Sequence, residues 1–158
     1  MILFPNAKIN LGLHVLRRRP DGYHDIETLM VPVAWTDILE IVPAAPGEPT
    51  SLTTTGRPVD CPPEKNLVMK AWRALADTRP DMPHARIFLR KIVPDGAGLG
   101  GGSADAAFTL MGLNRLFALG LSDEQLARIA AGIGADCPFF IYNRPMLATG
   151  TGTTLSPA

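Results

Sequence analysis

Cysteine is scarce in this sequence, and its scarcity argues against two common classes of small protein. Cys61 and Cys137 are the only thiols in the 158 residues, and they lie far apart and in no CxxC pair. Disulfide frameworks and cysteine-based metal sites need several closely spaced thiols, so neither is supported. Reduced thiols in a cytoplasmic protein are therefore the default expectation.

An excess of charge of either sign is also absent. Lys and Arg total 15, as do Asp and Glu, so the formal net charge at pH 7 is zero. A neutral surface offers no electrostatic reason to bind nucleic acid or an anionic membrane, and the short basic cluster at residues 17–19 does not reverse this. We therefore expect neither nucleic acid nor a membrane as a partner.

Long apolar segments are missing as well. The opening residues MILFPNAKINLGL are interrupted by Pro5, Asn6 and Lys8 and lack a basic segment followed by an apolar one, so they do not resemble a signal peptide. No apolar run approaches the roughly 20 residues that cross a bilayer. Hydrophobic residues still make up 46% of the chain, which is enough for one domain with a core.

The hydrophobic patterns indicate early strands followed by later helices. Strict alternation over residues 7–16 predicts a half-buried strand with Ile9, Leu11, Leu13 and Val15 on its apolar face. Further strands are predicted at 26–35, 37–42, 51–55, 85–91, 138–142 and 146–149, and helices at 66–78, 103–119 and 122–132. This order favours an α+β fold class over regular βαβ alternation.

Turn and capping residues predict where several of these elements begin or end. Pro20-Asp21-Gly22 is typical of a turn, and Gly120 is expected to end the second helix. Ser122 and Gln125 form a capping-box pattern for the third helix. Ser103 is a natural helix N-cap, although its hydroxyl could instead face a phosphate.

The strongest functional signal is the glycine-rich segment GAGLGGGS at residues 96–103, between a predicted strand and a predicted helix. Glycine permits positive φ and close approach of a ligand to the backbone, so successive N–H groups can surround an anion at the start of a helix. A flexible linker would lack the flanking strand and helix, and a simple turn needs fewer glycines. The segment therefore predicts a phosphate-binding loop.

The known phosphate motifs restrict the class of loop. No Lys precedes Ser103, so a Walker A loop is excluded. Gly96, Gly98 and Gly101 satisfy GxGxxG, but Asp123, at about the distance of the dinucleotide-binding acid, lies in a predicted helix rather than at the end of a strand. The HRD motif of protein kinases is absent.

Four segments in order resemble one family: PNAKINL near the start, PDGYH in the first loop, PxxAGLGGGS in the middle and GADxPFF near the end. Together they resemble the GHMP kinase superfamily, within it most nearly the 4-diphosphocytidyl-2-C-methyl-D-erythritol kinases, over residues 2–158. The resemblance implies the N-terminal GHMP kinase domain, similar to domain 2 of ribosomal protein S5, with a mostly antiparallel sheet packed on helices.

The resemblance also implies a reaction. The family transfers the γ-phosphate of ATP, with Mg²⁺, to the 2-hydroxyl of the small molecule 4-diphosphocytidyl-2-C-methyl-D-erythritol in the non-mevalonate isoprenoid pathway. Lys8 and Asp136 match the catalytic pair, in which Asp136 orients or deprotonates the hydroxyl and Lys8 stabilises charge on the phosphoryl group. Without the resemblance, Lys8 would be a solvated strand residue and Asp136 a turn residue.

Binding residues carry over by the same match. Asn10, Tyr23 and His24 are the substrate-binding positions, with Tyr23 and His24 on the cytosine, although a loop tyrosine over the core is the simpler interpretation of Tyr23 alone. The ATP-binding positions are Asn66, Lys91, Pro94, Asp95, Gly96, Ala97, Gly98, Leu99, Gly100, Gly101, Gly102, Ser103 and Ala104. Asn66 is equally plausible as a helix N-cap. The metal ligands are left unassigned.

Three departures from the family pattern qualify these expectations. Ala104 stands where the family frequently has a second serine. Thr153 stands where the family frequently has an acidic residue, and nothing physical explains that difference. The family has a second domain, so residues 1–158 are expected to be an N-terminal ATP-binding domain that is inactive alone. The alternatives are another GHMP kinase, such as a mevalonate or homoserine kinase, a non-catalytic nucleotide-binding domain, or a dinucleotide-binding module.

Overall fold

The computed structural model describes residues 1–158 and confirms the α+β fold class. The strands are β1 (Ile2–Leu3), β2 (Asn6–Arg18), β3 (His24–Thr36), β4 (Ile38–Pro43), β5 (Ser51–Gly56), β6 (Ala85–Lys91), β7 (Met146–Thr149) and β8 (Thr154–Pro157). The helices are α1 (Leu67–Thr78), α2 (Gly101–Leu116), α3 (Asp123–Ala131) and α4 (Cys137–Tyr142), with a 3-10 turn at Pro63–Lys65. None of these helices has the length and the hydropathy that a membrane span requires.

The strands form two four-stranded sheets that are antiparallel except at one pair. One sheet has the order β1-β4-β6-β5 and the other β2-β3-β7-β8, and only β5 and β6 run parallel. Strand β6 alternates strictly between buried and exposed residues, because one face packs on the helices and the other is open. A single cluster of 24 buried hydrophobic residues joins sheets and helices.

The apolar face of β2 is exposed, so the predicted half-buried strand is wrong beyond Lys8. Leu11, Leu13 and Val15 are 50% to 62% exposed. The register pairs Leu11 with Leu29, whereas the opposite face of the same sheet carries the buried Met30. The helices cover only the face that carries Met30, and no element of this chain covers the face that carries Leu11 and Leu29.

Helix α2 begins and ends earlier than the sequence indicated. Its N-cap is Gly100, at φ 70°, rather than Ser103, and its C-cap is Phe117 rather than a residue next to Gly120. The early end has a local cause, since Ala118 takes the left-handed conformation that terminates a helix, at φ 49°, and the N–H groups of Ala118 and Leu119 donate to the carbonyls of Arg115 and Asn114. The Asn114 side chain then closes the following loop, because it both donates to the Leu121 carbonyl and accepts from the Leu121 N–H.

Residues 138–142, predicted as a strand, form helix α4. Pro138 stands at the start of this helix, where its fixed φ and missing N–H are tolerated. A short apolar run does not distinguish strand from helix. The capping box of Ser122 and Gln125 is confirmed, with both reciprocal hydrogen bonds present at the start of α3.

Candidate active site

The glycine-rich segment forms the loop from β6 into α2, and its backbone donors are free. None of the N–H groups from Gly96 to Ser103 donates a hydrogen bond within the protein. Gly96 and Gly98 have φ of 70° and 74°, and a Cβ at either would meet open space. Free donors at a helix N-terminus suit an anion. Ala104 lies outside this cradle, because its N–H bonds to the Gly100 carbonyl and its side chain is buried.

Gly100 is where the loop, β2 and α4 meet. A Cβ at this residue would lie 2.9 Å from Cζ of Phe140 and 3.2 Å from Cγ of Lys8. The Lys8 N–H donates a 2.9 Å hydrogen bond to the Leu99 carbonyl. Only glycine combines the left-handed φ with this close approach, so the strand that carries Lys8 is fixed directly against the loop.

Lys8 and Asp136 are brought together, as their predicted roles require. Nζ of Lys8 lies 3.5 Å from Oδ2 of Asp136 and donates to Oδ1 of Asn10 at 3.2 Å. The Lys8 side chain is 4% exposed and that of Asp136 34%. Asp136 is the N-cap residue of α4, but its carboxylate makes no capping bond. The carboxylate is therefore available both to Lys8 and to a ligand that reaches its exposed side.

A pair of amides that the sequence analysis missed holds this geometry. Asn6 donates to Oδ1 of Asn143 at 3.0 Å, and Asn143 donates back to Oδ1 of Asn6 at 2.8 Å. Asn6 begins β2, and Asn143 is the left-handed C-cap of α4. The two bonds therefore tie the strand of Lys8 to the helix that Asp136 precedes. The only sequence signal was Asn6 itself, inside the PNAK segment.

Beside the glycine loop lies a cleft of about 180 Å³ that contains several of the predicted nucleotide residues. Asn66, Lys91 and Gly102 line it, together with Cys61 and Lys65. Asn66 also caps α1, since its Oδ1 accepts from the Val68 N–H at 2.9 Å. The capping alternative for Asn66 is thus confirmed, while its position on the cleft keeps the nucleotide role open.

Lys91 is buried between two carboxyl groups that the sequence analysis missed. Its Nζ lies 2.6 Å from Oδ2 of Asp37 and 2.8 Å from Oδ2 of Asp105, with Asp95 at 3.6 Å. Burial opposes the charge of Lys91, but Asp105 and Asp37 outweigh it and raise the pKa to about 12. The available sequence signal was Asp105, a lone charge among the alanines of α2.

Tyr23 and His24 lie apart from the catalytic pair. Both are exposed, Tyr23 by 67%, and the backbone N–H of Tyr23 donates to Oδ1 of Asp21 in the same loop. His24 pairs with Arg18, ten residues along β2 from Lys8. Fully extended, ten residues span about 33 Å. The register of this hairpin shifts between Leu11 and His14 and again between Val15 and Arg17, at the kind of irregularity where a strand bends.

Two other features do not belong to this site. A larger cavity of about 520 Å³, bordered by Arg128, Tyr142 and Arg144, contains none of the predicted site residues, so we place the site by its chemistry rather than by cavity size. Burial raises the pKa of the Cys137 thiol to about 11, which argues against a nucleophilic role. No group of three or more His, Cys, Asp or Glu side chains is placed to hold a metal ion.

Comparison with known proteins places the glycine loop in a family. Residues 66–144 match the family described as GHMP kinases N terminal domain. The chain is 56% identical over 157 residues to the 4-diphosphocytidyl-2-C-methyl-D-erythritol kinase of Parabacteroides distasonis, and 51% identical over 157 residues to that of Porphyromonas gingivalis. These alignments cover 99% of this chain but 56% and 57% of the relatives. The chain thus spans little more than half of their length.

Solved structures show the same fold. A crystal structure of a 4-(cytidine 5'-diphospho)-2C-methyl-D-erythritol kinase superposes with a TM-score of 0.84 at 37% identity, covering all of this chain and 55% of that one. The mevalonate kinase of Methanococcus jannaschii superposes with a TM-score of 0.72 at 13% identity, with the same coverage. The second likeness shows a shared fold alone.

Proposed function

Because the chain belongs to the GHMP kinase family through its N-terminal domain, we propose that residues 1–158 form the ATP-binding part of a small-molecule kinase. The proposed reaction transfers the γ-phosphate of ATP to the 2-hydroxyl of 4-diphosphocytidyl-2-C-methyl-D-erythritol, in isoprenoid precursor synthesis by the non-mevalonate route. This acceptor follows the names of the relatives that are about half identical to the chain. We place the enzyme in the cytoplasm.

The observation that carries the proposal is the position of the Lys8–Asp136 pair beside a row of free backbone donors. The donors of residues 96–103 suit the ATP phosphates, and Lys8 is bonded to the same loop through Leu99. Phosphoryl transfer depends mainly on positioning and on electrostatic stabilisation of the phosphoryl group. The buried ammonium of Lys8 supplies a cation for the charge on the phosphoryl group. The partly exposed carboxylate of Asp136 beside it supplies an acceptor for the hydroxyl proton.

The glycine loop and the neighbouring cleft fit ATP, whereas no set of side chains is placed to hold the metal. Gly96 and Gly98 leave open the space that phosphates need, and the cleft next to Asn66 and Lys91 has room beside the loop for the rest of the nucleotide. Mg²⁺ would enter with ATP, neutralise phosphate charge and keep most of its ligands as phosphate oxygens and waters. We assign it no protein ligand.

Asn10, Tyr23 and His24 are proposed to hold the acceptor. Asn10 already bonds to Lys8, so it lies where the reacting hydroxyl would be. Tyr23 offers an exposed aromatic face to the cytosine and His24 a ring that can hydrogen-bond its edge. The alternative acceptors, mevalonate and homoserine, have no nucleobase for these two residues to bind.

Titration separates the kinase proposal from the dinucleotide-binding and non-catalytic alternatives. We expect ATP to bind and NAD to bind at least about tenfold more weakly, since a dinucleotide-binding strand acid is absent. An assay of ADP release by the complete protein then separates an enzyme from a binding domain. Equal affinity for NAD, or ATP binding without any turnover on a phosphate acceptor, would reject the proposal.

A further inference from the structure

Two carboxyl groups and one ammonium group are buried together under the first turn of α2. Asp37 is completely buried, and Lys91 and Asp105 are 3% and 2% exposed. They come from the β3–β4 junction, the last residue of β6 and the body of α2. If both carboxyl groups were ionised, one buried negative charge would have no cation, which is strongly unfavourable in a protein interior.

The hydrogen bonds distinguish the two carboxyl groups. Oδ1 of Asp37 accepts from the N–H groups of Ile92 and Val93, at 2.6 Å and 2.9 Å, and Oδ2 accepts from Lys91. Both oxygens of Asp37 thus have donors, as an ionised carboxylate requires. Asp105 accepts from Lys91 through Oδ2, but its Oδ1 is buried and no N–H or O–H group of the protein donates to it.

We infer that Asp105 is a positioning residue that stays protonated in the native protein, shares its proton with the Asp37 carboxylate, and so keeps the Lys91 cluster electrically neutral beneath the glycine loop. A proton turns the carboxyl group of Asp105 into a donor, which the ionised Asp37 accepts. The two acids then carry one negative charge between them, and that charge matches the single ammonium group of Lys91.

The electrostatic environment agrees with this assignment. Burial raises the pKa of Asp105 well above its usual range, and its hydrogen bond with Asp37 raises it further, against the opposing effect of Lys91. Burial would also raise the pKa of Asp37, but hydrogen bonds from Asp105, Lys91 and two backbone N–H groups outweigh it and lower that pKa. The other charged or titratable groups that face the cluster are Asp95, Lys65 and Cys61 on the cleft.

The neutral cluster matters for ATP, and this step rests on the proposed function. A Cβ on Gly101 would lie 3.3 Å from Nζ of Lys91, so the cluster lies directly under the free donors of the loop. An unbalanced carboxylate there would repel phosphate and oppose the positive end of α2. Protonated Asp105 removes that repulsion and leaves Lys91 as an anchor for β6, α2 and the β3–β4 junction.

The sign of the pH dependence follows from the raised pKa. An acid whose pKa is higher in the native than in the unfolded chain contributes stability that is fully present below its unfolded value, about 3.9. That contribution is lost as pH rises towards the native pKa. Asp105→Asn keeps the shape and one donor but cannot ionise, so its stability lacks this decline.

The experiment compares thermal unfolding of the wild-type chain, Asp105→Asn and Asp37→Asn from about pH 5 to about pH 9. We expect the thermal unfolding midpoint of wild type to fall steadily, relative to that of Asp105→Asn, as the pH rises. Asp37→Asn should lower the midpoint by about 10 °C or more, because it replaces the ionised partner of Lys91. An infrared band of a neutral carboxyl group should be present in wild type and absent in Asp105→Asn.

Unfolding and infrared spectra need no nucleotide, so they test the cluster even if the protein does not bind ATP. A wild-type minus Asp105→Asn difference that is constant with pH, or a missing neutral-carboxyl band, would overturn the inference. If Asp37→Asn does not fold, the pH dependence of unfolding and the infrared band, both compared between wild type and Asp105→Asn, still test the inference. ATP titration then tests the functional step: wild type and Asp105→Asn should bind ATP with similar affinity across this pH range, because residue 105 is uncharged in both, and clearly tighter binding by Asp105→Asn would contradict the neutral cluster.

Discussion

The backbone N–H of Lys8 donates a 2.9 Å hydrogen bond to the carbonyl oxygen of Leu99, in the middle of the glycine loop. This bond fixes a buried lysine to the row of free N–H groups that follows Leu99 in the chain. Lys8 then reaches Asp136 through its ammonium group at 3.5 Å. The proposed phosphate site and the proposed catalytic pair are therefore one connected unit.

Asp136→Asn should remove most of the turnover of the complete enzyme. The amide keeps the shape of the side chain but cannot accept a proton, and general-base contributions are about 10²–10⁴-fold. ATP affinity should change little, because the free donors lie in the glycine loop rather than in α4. Steady-state kinetics and ATP titration measure the two effects separately.

Asp77→Asn is the matched control, since Asp77 is exposed on α1 and forms no ion pair. It should leave both quantities unchanged. A loss of turnover of less than about threefold in Asp136→Asn would mean that Asp136 is a turn residue without a catalytic role.

Gly98→Ala should weaken ATP binding by about tenfold or more, which corresponds to roughly 1.4 kcal/mol. A Cβ at Gly98 meets no protein atom, so the methyl group would project into the space assigned to the phosphates. Gly101 is a poorer choice for this test, because a side chain there would be directed at Lys91 and Val93 inside the protein.

Gly120→Ala controls for backbone strain in the same experiment. Gly98 and Gly120 share φ of 74°, and a Cβ at either meets open space. Both variants should lose a similar amount of stability, about 1–2 kcal/mol. If the two variants bind ATP equally well, the phosphates do not lie against residue 98.

Tyr23→Ala should weaken the cytidylyl acceptor by roughly 1–3 kcal/mol, the usual contribution of one stacked base. Tyr23→Phe keeps the aromatic ring and should retain most of the affinity. Because Tyr23 is exposed and bonded only within its loop, the fold should tolerate both changes. Acceptor KM and ATP affinity are the measurements, and an equal loss for both ligands would indicate a structural tyrosine.

The 158-residue chain produced alone should turn over very slowly and self-associate. The relatives that it matches extend well beyond the aligned part, and misplacement of an acceptor by about 1 Å can cost about 10²-fold. The uncovered face of β2 provides the apolar surface for association. Light scattering and ADP release measure the two properties.

Leu13→Glu should reduce this association, because Leu13 lies in the uncovered part of β2 with 53% of its surface exposed. Phe88→Glu, on the other sheet and 38% exposed, serves as its control. A monomeric chain with turnover close to that of a complete relative would show that the acceptor is held within residues 1–158.

Local patterns predicted those parts of the fold in which one face is buried. Strand β6 has the bounds 85–91 that its alternation indicated, because its inward residues pack on helices and its outward residues do not. The same alternation in β2 was misleading, since its apolar face has no cover within this chain. A pattern shows which face is apolar, but it does not show which element lies against that face.

The residues of the candidate site also differ in how far the sequence predicted them. The glycine loop is contiguous in sequence, so its composition alone predicted its position at the start of α2. The Lys8–Asp136 pair came only from the family resemblance, and the structure then placed the two side chains in contact. Asp37 and Asp105 escaped prediction because their meeting at Lys91 depends on three elements that are distant in the chain.

The most direct test of the central proposal is ADP release by the complete enzyme with three acceptors at equal concentration: 4-diphosphocytidyl-2-C-methyl-D-erythritol, mevalonate and homoserine. We predict turnover with the cytidylyl acceptor that is at least about 10²-fold faster than with the others, because only that acceptor offers a base to Tyr23 and His24. Comparable or faster turnover with mevalonate or homoserine would contradict the proposed substrate, and no ADP release with any acceptor would contradict the proposed kinase activity.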